Sequence, residues 1–164
     1  MSENNGIVKK KQPIYHYGWF WVVALLVTLF FIIETYHPQL EVQNPIDAEY
    51  LGCHIQYLRH EVHGDRKPEL LIYYQFNNHS DKDYTHTFDS VVDQEAYQDL
   101  IKLNSTSNYS TEGKNTRAVI KPGASITVCT AFYLRNKTSD VEVTMKEDAL
   151  FFGEELGTMT LKLK

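Results

Sequence analysis

Hydrophobic and polar positions along the chain fall into three regimes. From Ile14 to Ile33 the sequence IYHYGWFWVVALLVTLFFII carries no Asp, Glu, Lys or Arg. At about 1.5 Å per residue, a helix of this length matches the ~30 Å hydrocarbon core of a bilayer. The pattern predicts one transmembrane helix over residues 14–34, behind a short tail of residues 1–13. Tyr15, Tyr17, Trp19 and Trp21 crowd one end, with His16 at headgroup level, and Tyr36 stands at the other. Amphipathic rings prefer such interfacial positions. Thr35 to Glu49 contains Pro38 and Pro45 and shows neither helical nor strand periodicity, so residues 35–49 read as a linker.

Period-two alternation dominates residues 50–164. Gly52 to Val62 places Cys53, Ile55 and Tyr57 on one side. Leu70 to Phe76, LLIYYQF, is dense in residues that favour a pleated, half-buried surface, and Asn77-Asn78 ends it with a turn signal. Thr85 to Val92 reads as a third strand, Asp93 to Leu103 as a short turn or helix, and the Ser-, Thr- and Asn-rich Asn104 to Thr116 as a loop. Lys121-Pro122-Gly123 is a tight-turn signature. In Ser125 to Leu134 the residues Ile126, Val128, Phe132 and Leu134 fall on one predicted core face. After a turn at Asn136 to Asp140, Val141, Val143 and Met145 continue the alternation. Glu147 to Gly157 reads as a loop whose Leu150, Phe151 and Phe152 plug the core, and Thr158 to Leu163 as the last strand. Six or seven short strands without a long helix predict a mainly β domain, an antiparallel sandwich of immunoglobulin-like architecture.

Charge orients the chain. Lys9, Lys10 and Lys11 precede the apolar run, whereas His37 to Glu49 holds no Lys or Arg, which keeps the N-terminus inside and residues 50–164 extracytoplasmic. A cleaved signal peptide begins in the same way, but this apolar run is longer than usual, and Glu34-Thr35-Tyr36-His37-Pro38 offers no pair of small residues for a peptidase. Leu51-Gly52-Cys53 has the look of a lipoprotein cleavage box, yet it lies far beyond the apolar run, with charged residues between.

The chain is 43% hydrophobic, with 11 Tyr and 8 Phe among its 164 residues, which is the composition of a folding domain and not of a disordered one. From residue 41 onward 13 Lys and Arg stand against 19 Asp and Glu, a formal charge of about −6 that disfavours phosphate backbones, hence nucleic acid, and anionic lipid heads as partners. The densest acidic run, Asp81, Asp83, Asp89, Asp93, Glu95 and Asp99, lacks the ligand spacing and central Gly of a calcium loop and reads as solvated surface. His54, His60 and His63 cluster in sequence, but His60 and His63 fall on opposite sides of a strand, so no metal site is expected. Cys53 and Cys129 invite a disulfide, but their strand phases point them to different layers. No nucleophile elbow, Cys and His signature or phosphate-cradling loop is present, so neither catalytic residues nor a cofactor is expected. Asn78, Asn104, Asn108 and Asn136 each open an Asn-x-Ser/Thr triplet, cheap matches in so Asn- and Ser-rich a chain.

Several motifs in order carry a family resemblance: Tyr73-Tyr74-Gln75-Phe76-Asn77-Asn78, Ala96-Tyr97-Gln98 with Leu100 and Leu103, Lys121-Pro122-Gly123-Ala124-Ser125, Tyr133-Leu134, and Val141-Glu142-Val143. Over residues 50–147 the chain resembles the domain of unknown function 5067 family. It departs from the pattern in lacking a Gly after Gln98 and in carrying two Cys. The resemblance implies an immunoglobulin-like extracytoplasmic domain of Gram-positive bacteria behind a lipoprotein signal or membrane anchor, and it implies no activity or functional residues. The reading that follows is a noncatalytic surface module that binds a protein or envelope component. A rival is an accessory subunit of a membrane complex that uses the helix as its contact surface, and an extracytoplasmic enzyme is a third alternative.

Overall fold

The computed structural model describes residues 18–35, 40–80, 85–106, 111–148 and 153–164, with side chains of the first helix through Leu29. It divides into two compact units, Met1–Gln39 and Leu40–Lys164. In the first, helix α1 (Gly18–Thr35) presents Trp19, Trp21, Val22, Val23, Leu25, Leu26, Val27 and Leu29 as exposed side chains. The helix is therefore apolar on every side and not along one stripe. Thr28 turns its hydroxyl back onto the Ala24 carbonyl at 2.8 Å, so this polar group needs no water. Among the described residues no helix is long and apolar enough to cross a membrane. Residues 14–17 of the predicted span, the flanking Lys9 to Lys11 and Tyr36 lie outside the described residues.

The second unit is mainly antiparallel β-structure in two sheets. Its strands are β1 (Val42–Gln43), β2 (Asp47–Tyr50), β3 (Cys53–His63), β4 (Glu69–Asn78), β5 (Val92–Gln98), β6 (Ile101–Lys102), β7 (Ser125–Tyr133), β8 (Val141–Glu147) and β9 (Glu155–Leu161). One sheet runs β1-β9-β8-β5-β6 and the other β2-β3-β4-β7. Alternation sends Leu70, Ile72, Tyr74 and Phe76 of β4 and Val128 and Phe132 of β7 toward Val141, Val143 and Met145 of β8 and Met159 and Leu161 of β9, all buried in a single core. The opposite face of β4 and β7 carries a smaller cluster, Leu71, Tyr73, Cys129 and Ala131, with the Arg59 guanidinium 3.8 Å over the Tyr73 ring.

Four expectations need correction. The stretch 35–49 is not all linker: β1 pairs with β9, β2 pairs with β3, and Ile46 and Ala48 join the core. These strands are too short to show alternation. Thr85 to Val92 is not a strand, because only His86 bridges, to Ile120, before helix α2 (Phe88–Val91). The strand is instead β5, in the segment read as turn or helix, where Gln94, Ala96 and Gln98 take the inward positions that would normally advertise a strand with Val or Ile. Within the expected loop 104–116 lies helix α3 (Thr111–Lys114), followed by a 3-10 turn at Asn115–Arg117.

Two buried polar side chains tie the sandwich together. Gln98 is fully buried. Its Nε2 donates to the carbonyls of Asn136 (3.0 Å) and Ser139 (2.9 Å), and its Oε1 accepts from the amides of Arg135 (2.8 Å) and Asn136 (3.2 Å). Both hydrogens and both lone pairs are used, which pins the β7–β8 loop to the end of β5. His60, on β3, donates from Nε2 to the Lys162 carbonyl beyond β9 at 3.2 Å, joining the two sheets, and its Nδ1 accepts from the Tyr57 hydroxyl at 2.7 Å. Burial lowers the His60 pKa, opposed by the bond to Lys162, and raises that of Tyr57 to about 12.

Gln98→Leu leaves four backbone groups of the loop without their partner, and should lower the unfolding free energy by about 3 kcal/mol, read from the urea midpoint at unchanged slope. For His60 the sign is set by the unfolded chain, which takes up a proton near pH ~6.5 while the folded one resists. Its contribution is complete above that pH and is lost as pH falls toward the depressed folded value. In urea titrations from neutral pH downward, His60→Gln should show a shallower loss of stability than the parent chain.

Candidate functional site

The side of the sandwich between β5 and β7 does not close tightly. A cavity of about 650 Å³ remains there, lined among the described residues by side chains that include Phe88, Val92, Gln94, Thr130 and Phe132. Its walls are held by short, well-made contacts. Thr106 donates its amide to Ala131 O at 2.9 Å and Tyr133 donates to Asn104 O at 3.0 Å, which lays Asn104 to Thr106 along the free edge of β7. Farther down that edge Asn115 Nδ2 donates to Thr127 O at 2.9 Å. On the other side α2 begins after Thr87, whose amide donates to Ser90 Oγ at 3.1 Å.

Strand alternation aims Gln94 of β5 and Thr130 of β7 into the space between the sheets, where Tyr74 of β4 lies at the back. Both polar atoms of the Gln94 amide, the Thr130 hydroxyl and the Tyr74 hydroxyl are shielded from solvent and have no hydrogen-bond partner. Gln94 is near enough to pull the Tyr74 pKa down, yet no hydrogen bond of good geometry joins them, and complete burial raises that pKa far above the ordinary phenol value. Aromatic neighbours fix the phenol ring: Phe88 stacks at 5.7 Å and Tyr57 meets it edge-on at 6.4 Å. A buried polar group without a partner costs about 1–3 kcal/mol, and two such residues lining one cavity, Gln94 and Thr130, with Tyr74 buried beside Gln94, make an arrangement that a bound polar group would relieve. All three are uncharged, whereas charge stands at the rim, where Arg117 Nε lies 3.4 Å from Asp89.

Residues 46–147 match the model of a family described as a domain of unknown function (DUF5067). The chain belongs to this family. No curated protein matches it. Among solved structures, the DUF5067 chain is similar to a candidate lipoprotein, ycdA, from Bacillus subtilis, with 11% identity and a TM-score of 0.54. The alignment covers 74% of this chain and 39% of that one, so the chain spans about two fifths of its structural neighbour, and the likeness is one of fold.

The sequence-level candidates are dispersed over the DUF5067 domain. His54 bonds Asp47 at 2.6 Å, His63 bonds Glu61 at 2.9 Å, and His60 is the inter-sheet link. Among the described residues no three His, Cys, Asp or Glu side chains gather as a metal site. Of the acidic run, Asp89 and Asp93 reach the cavity rim, Glu95 is held to about 2 by Lys102 and Lys146, Asp99 accepts from Asn136, and Asp81 and Asp83 lie outside the described residues. Asn78 is fully buried, which removes it as a glycan acceptor, Asn136 Oδ1 accepts from the amides of Thr138 and Ser139, Asn104 is exposed, and Asn108 lies outside the described residues. The cavity trio was legible only as a flaw in alternation, a Thr at inward position 130 between Val128 and Phe132. Gln94 gave no signal, and Tyr74 passed for core.

Cys53 faces the main core and Cys129 the cluster on the other face of its sheet, and no disulfide joins them. Their exposures are 0% and 1%, and burial raises the Cys53 thiol to about 11. Iodoacetamide at neutral pH should therefore label neither thiol in the folded chain, and both after denaturation, with equal masses with and without reductant.

Proposed function

We propose that this DUF5067 protein is a membrane-anchored, noncatalytic binding module displayed at the cell surface, which takes an uncharged polar group of an envelope component or protein partner into the cavity between β5 and β7. The observation that carries the reading is that Gln94 and Thr130 line this cavity, with Tyr74 buried behind Gln94, and that the polar side-chain atoms of all three have no hydrogen-bond partner. The Gln94 amide offers a donor and an acceptor side by side, which complements a ligand amide or a pair of hydroxyls. The groups that stand unpartnered in the cavity are neutral amide and hydroxyl functions, which suit holding a polar group by hydrogen bonds. The immunoglobulin-like reading of the sandwich fits a display role. Anchorage through the helix begun by α1, with the β domain outside, draws its support from a helix apolar on all sides and from the basic tail before it.

The test needs no knowledge of the natural ligand at first. If the trio serves binding, removing its polarity relieves a cost: Gln94→Leu and Thr130→Val should leave the unfolding free energy in urea unchanged or raise it by up to about 1 kcal/mol. A structural role predicts a loss. The full chain in detergent is then titrated with amide-bearing probes, acetylated tripeptide amides and N-acetylglucosamine oligomers, by calorimetry. The parent chain should bind one class, and Gln94→Leu should weaken it at least about tenfold, the equivalent of ~1.4 kcal/mol. Undiminished binding by the variant would remove the cavity from the reading.

A further inference from the structure

The two ends of the β domain differ in charge. At one end lie the β3–β4 turn, the β5–β6 turn, the β7–β8 loop and the residues after β9, and here the chain also enters the domain, since Val42 pairs with Leu161 and Lys162 donates its amide to Glu41 O at 2.8 Å. Exposed at this end are Arg66, Lys67, Lys102, Arg135, Lys137 and Lys164, six basic side chains against the four acidic ones of Glu41, Asp65, Asp99 and Asp140. Lys137 is engaged by Asp65 and Lys102 by Glu95, whereas Arg66, Lys67, Arg135 and Lys164 form no ion pair among the described residues. At the far end Glu49, Glu147, Asp148, Glu154 and Glu155 stand against Lys121. A domain that is acidic overall is thus polarised, with its basic pole where the chain arrives.

The basic pole also carries an apolar tip. Asp99 and Leu100 form the two-residue turn between Gln98 and Ile101, with φ of +53° and +63°. Both positions of such a turn favour Asn, Asp or Gly, yet the second holds a leucine that is 97% exposed, followed by an Ile101 that is 45% exposed. Local folding gains nothing from a leucine there. A side chain in an unfavourable backbone region and wholly in water gains only when something apolar receives it.

We propose that this end of the domain docks on an anionic bilayer surface, with Leu100 inserted at the headgroup and acyl boundary and Arg66, Lys67 and Arg135 against lipid phosphates. Basic side chains are drawn to anionic lipid over about a Debye length, and one apolar residue inserted among them converts attraction into a fixed register. The acidic pole is repelled and so turned outward. The inference rests on the anchored reading above, which brings the basic pole to the membrane at high effective concentration.

The full chain, as Leu100→Cys carrying a polarity-sensitive dye, is mixed with vesicles of phosphatidylcholine alone or with phosphatidylglycerol. Cys53 and Cys129 are buried, and Lys121→Cys at the far pole is the control. In phosphatidylglycerol the Leu100→Cys dye should shift to the blue and be quenched by spin-labelled lipid about threefold more than the control. Arg66→Glu, Lys67→Glu and Arg135→Glu together should abolish the difference. A dye in water in anionic vesicles overturns the proposal, as does a shift equal in uncharged lipid or in detergent, the latter assigning Leu100 to a protein contact. Flotation separates the two readings: a chain that floats with both lipids while the dye stays in water sinks the docking alone. One that floats only with phosphatidylglycerol and shows the blue shift sinks the anchor and keeps the docking, and one that floats with neither sinks both.

Discussion

A hydrogen-bonding group taken out of water must find a partner, and the two inward-facing glutamines of β5 meet that requirement in opposite ways. Gln98 uses all of its capacity on the β7–β8 loop. Gln94, two inward positions earlier on the same strand, uses none. Because side chains four apart on a strand share a face, the pair forms a gradient along β5, from a closed end where the sheets are stitched together to an open end where they part around a cavity. The stitching makes the opening tolerable. With the β7–β8 loop, His60 and the β4 core fixing the spacing of the sheets, a few unmet hydrogen bonds can persist without collapse of the site.

The same fixed spacing accounts for the management of sheet edges. The outer strands β1 and β6 have two residues each and β2 four, too short to template another chain. Past the end of β2, the edge of β3 is interrupted by a register shift between Tyr57 and Arg59 and studded with Arg59, Glu61 and His63. The edge of β7 is the long one, and here the chain lays Asn104 to Thr106 and the 3-10 turn against it. The segments that protect this edge are also walls of the cavity, so edge protection and site construction are one piece of structure.

Where core packing chose the residues, the fold was readable in advance. β8 and much of β9 alternate, β7 does so apart from Thr130, and β4 announces itself by its run of strand-favouring residues, because their inner faces bury Leu, Ile, Val, Phe and Met against one another, and the turns at Asn77-Asn78 and Pro122-Gly123 bound β4 and β7. The phase of β7 even separated Cys129 from the core on which Cys53 sits. β1 and β2 escaped because two to four residues cannot display a period, and their pairing is set by partners more than a hundred residues away for β1. α2 escaped because four residues carry no helical repeat. The family resemblance covers residues 50–147, and the family match extends to residues 46–147, so that it takes in β2.

β5 was misread for a more instructive reason. Its inward positions after Val92 are Gln94, Ala96 and Gln98, two amides and a small residue where a strand built only for stability would place branched apolar side chains. Thr130 is the matching break on β7. The substitutions that hid the strand are therefore those that shape the interior beside it: Gln98 spends its polarity on the fold, and Gln94 and Thr130 withhold theirs. A polar residue at a core-phase position cannot be told from a loop residue by pattern alone, since pattern records only which side a residue occupies and not whether its hydrogen bonds are met. That second question is answered only once β5 and β7 face each other across the sandwich. A sequence chosen for stability alone would not place unmet polar groups at such positions, and it is on this physical ground that the proposed role of the cavity stands.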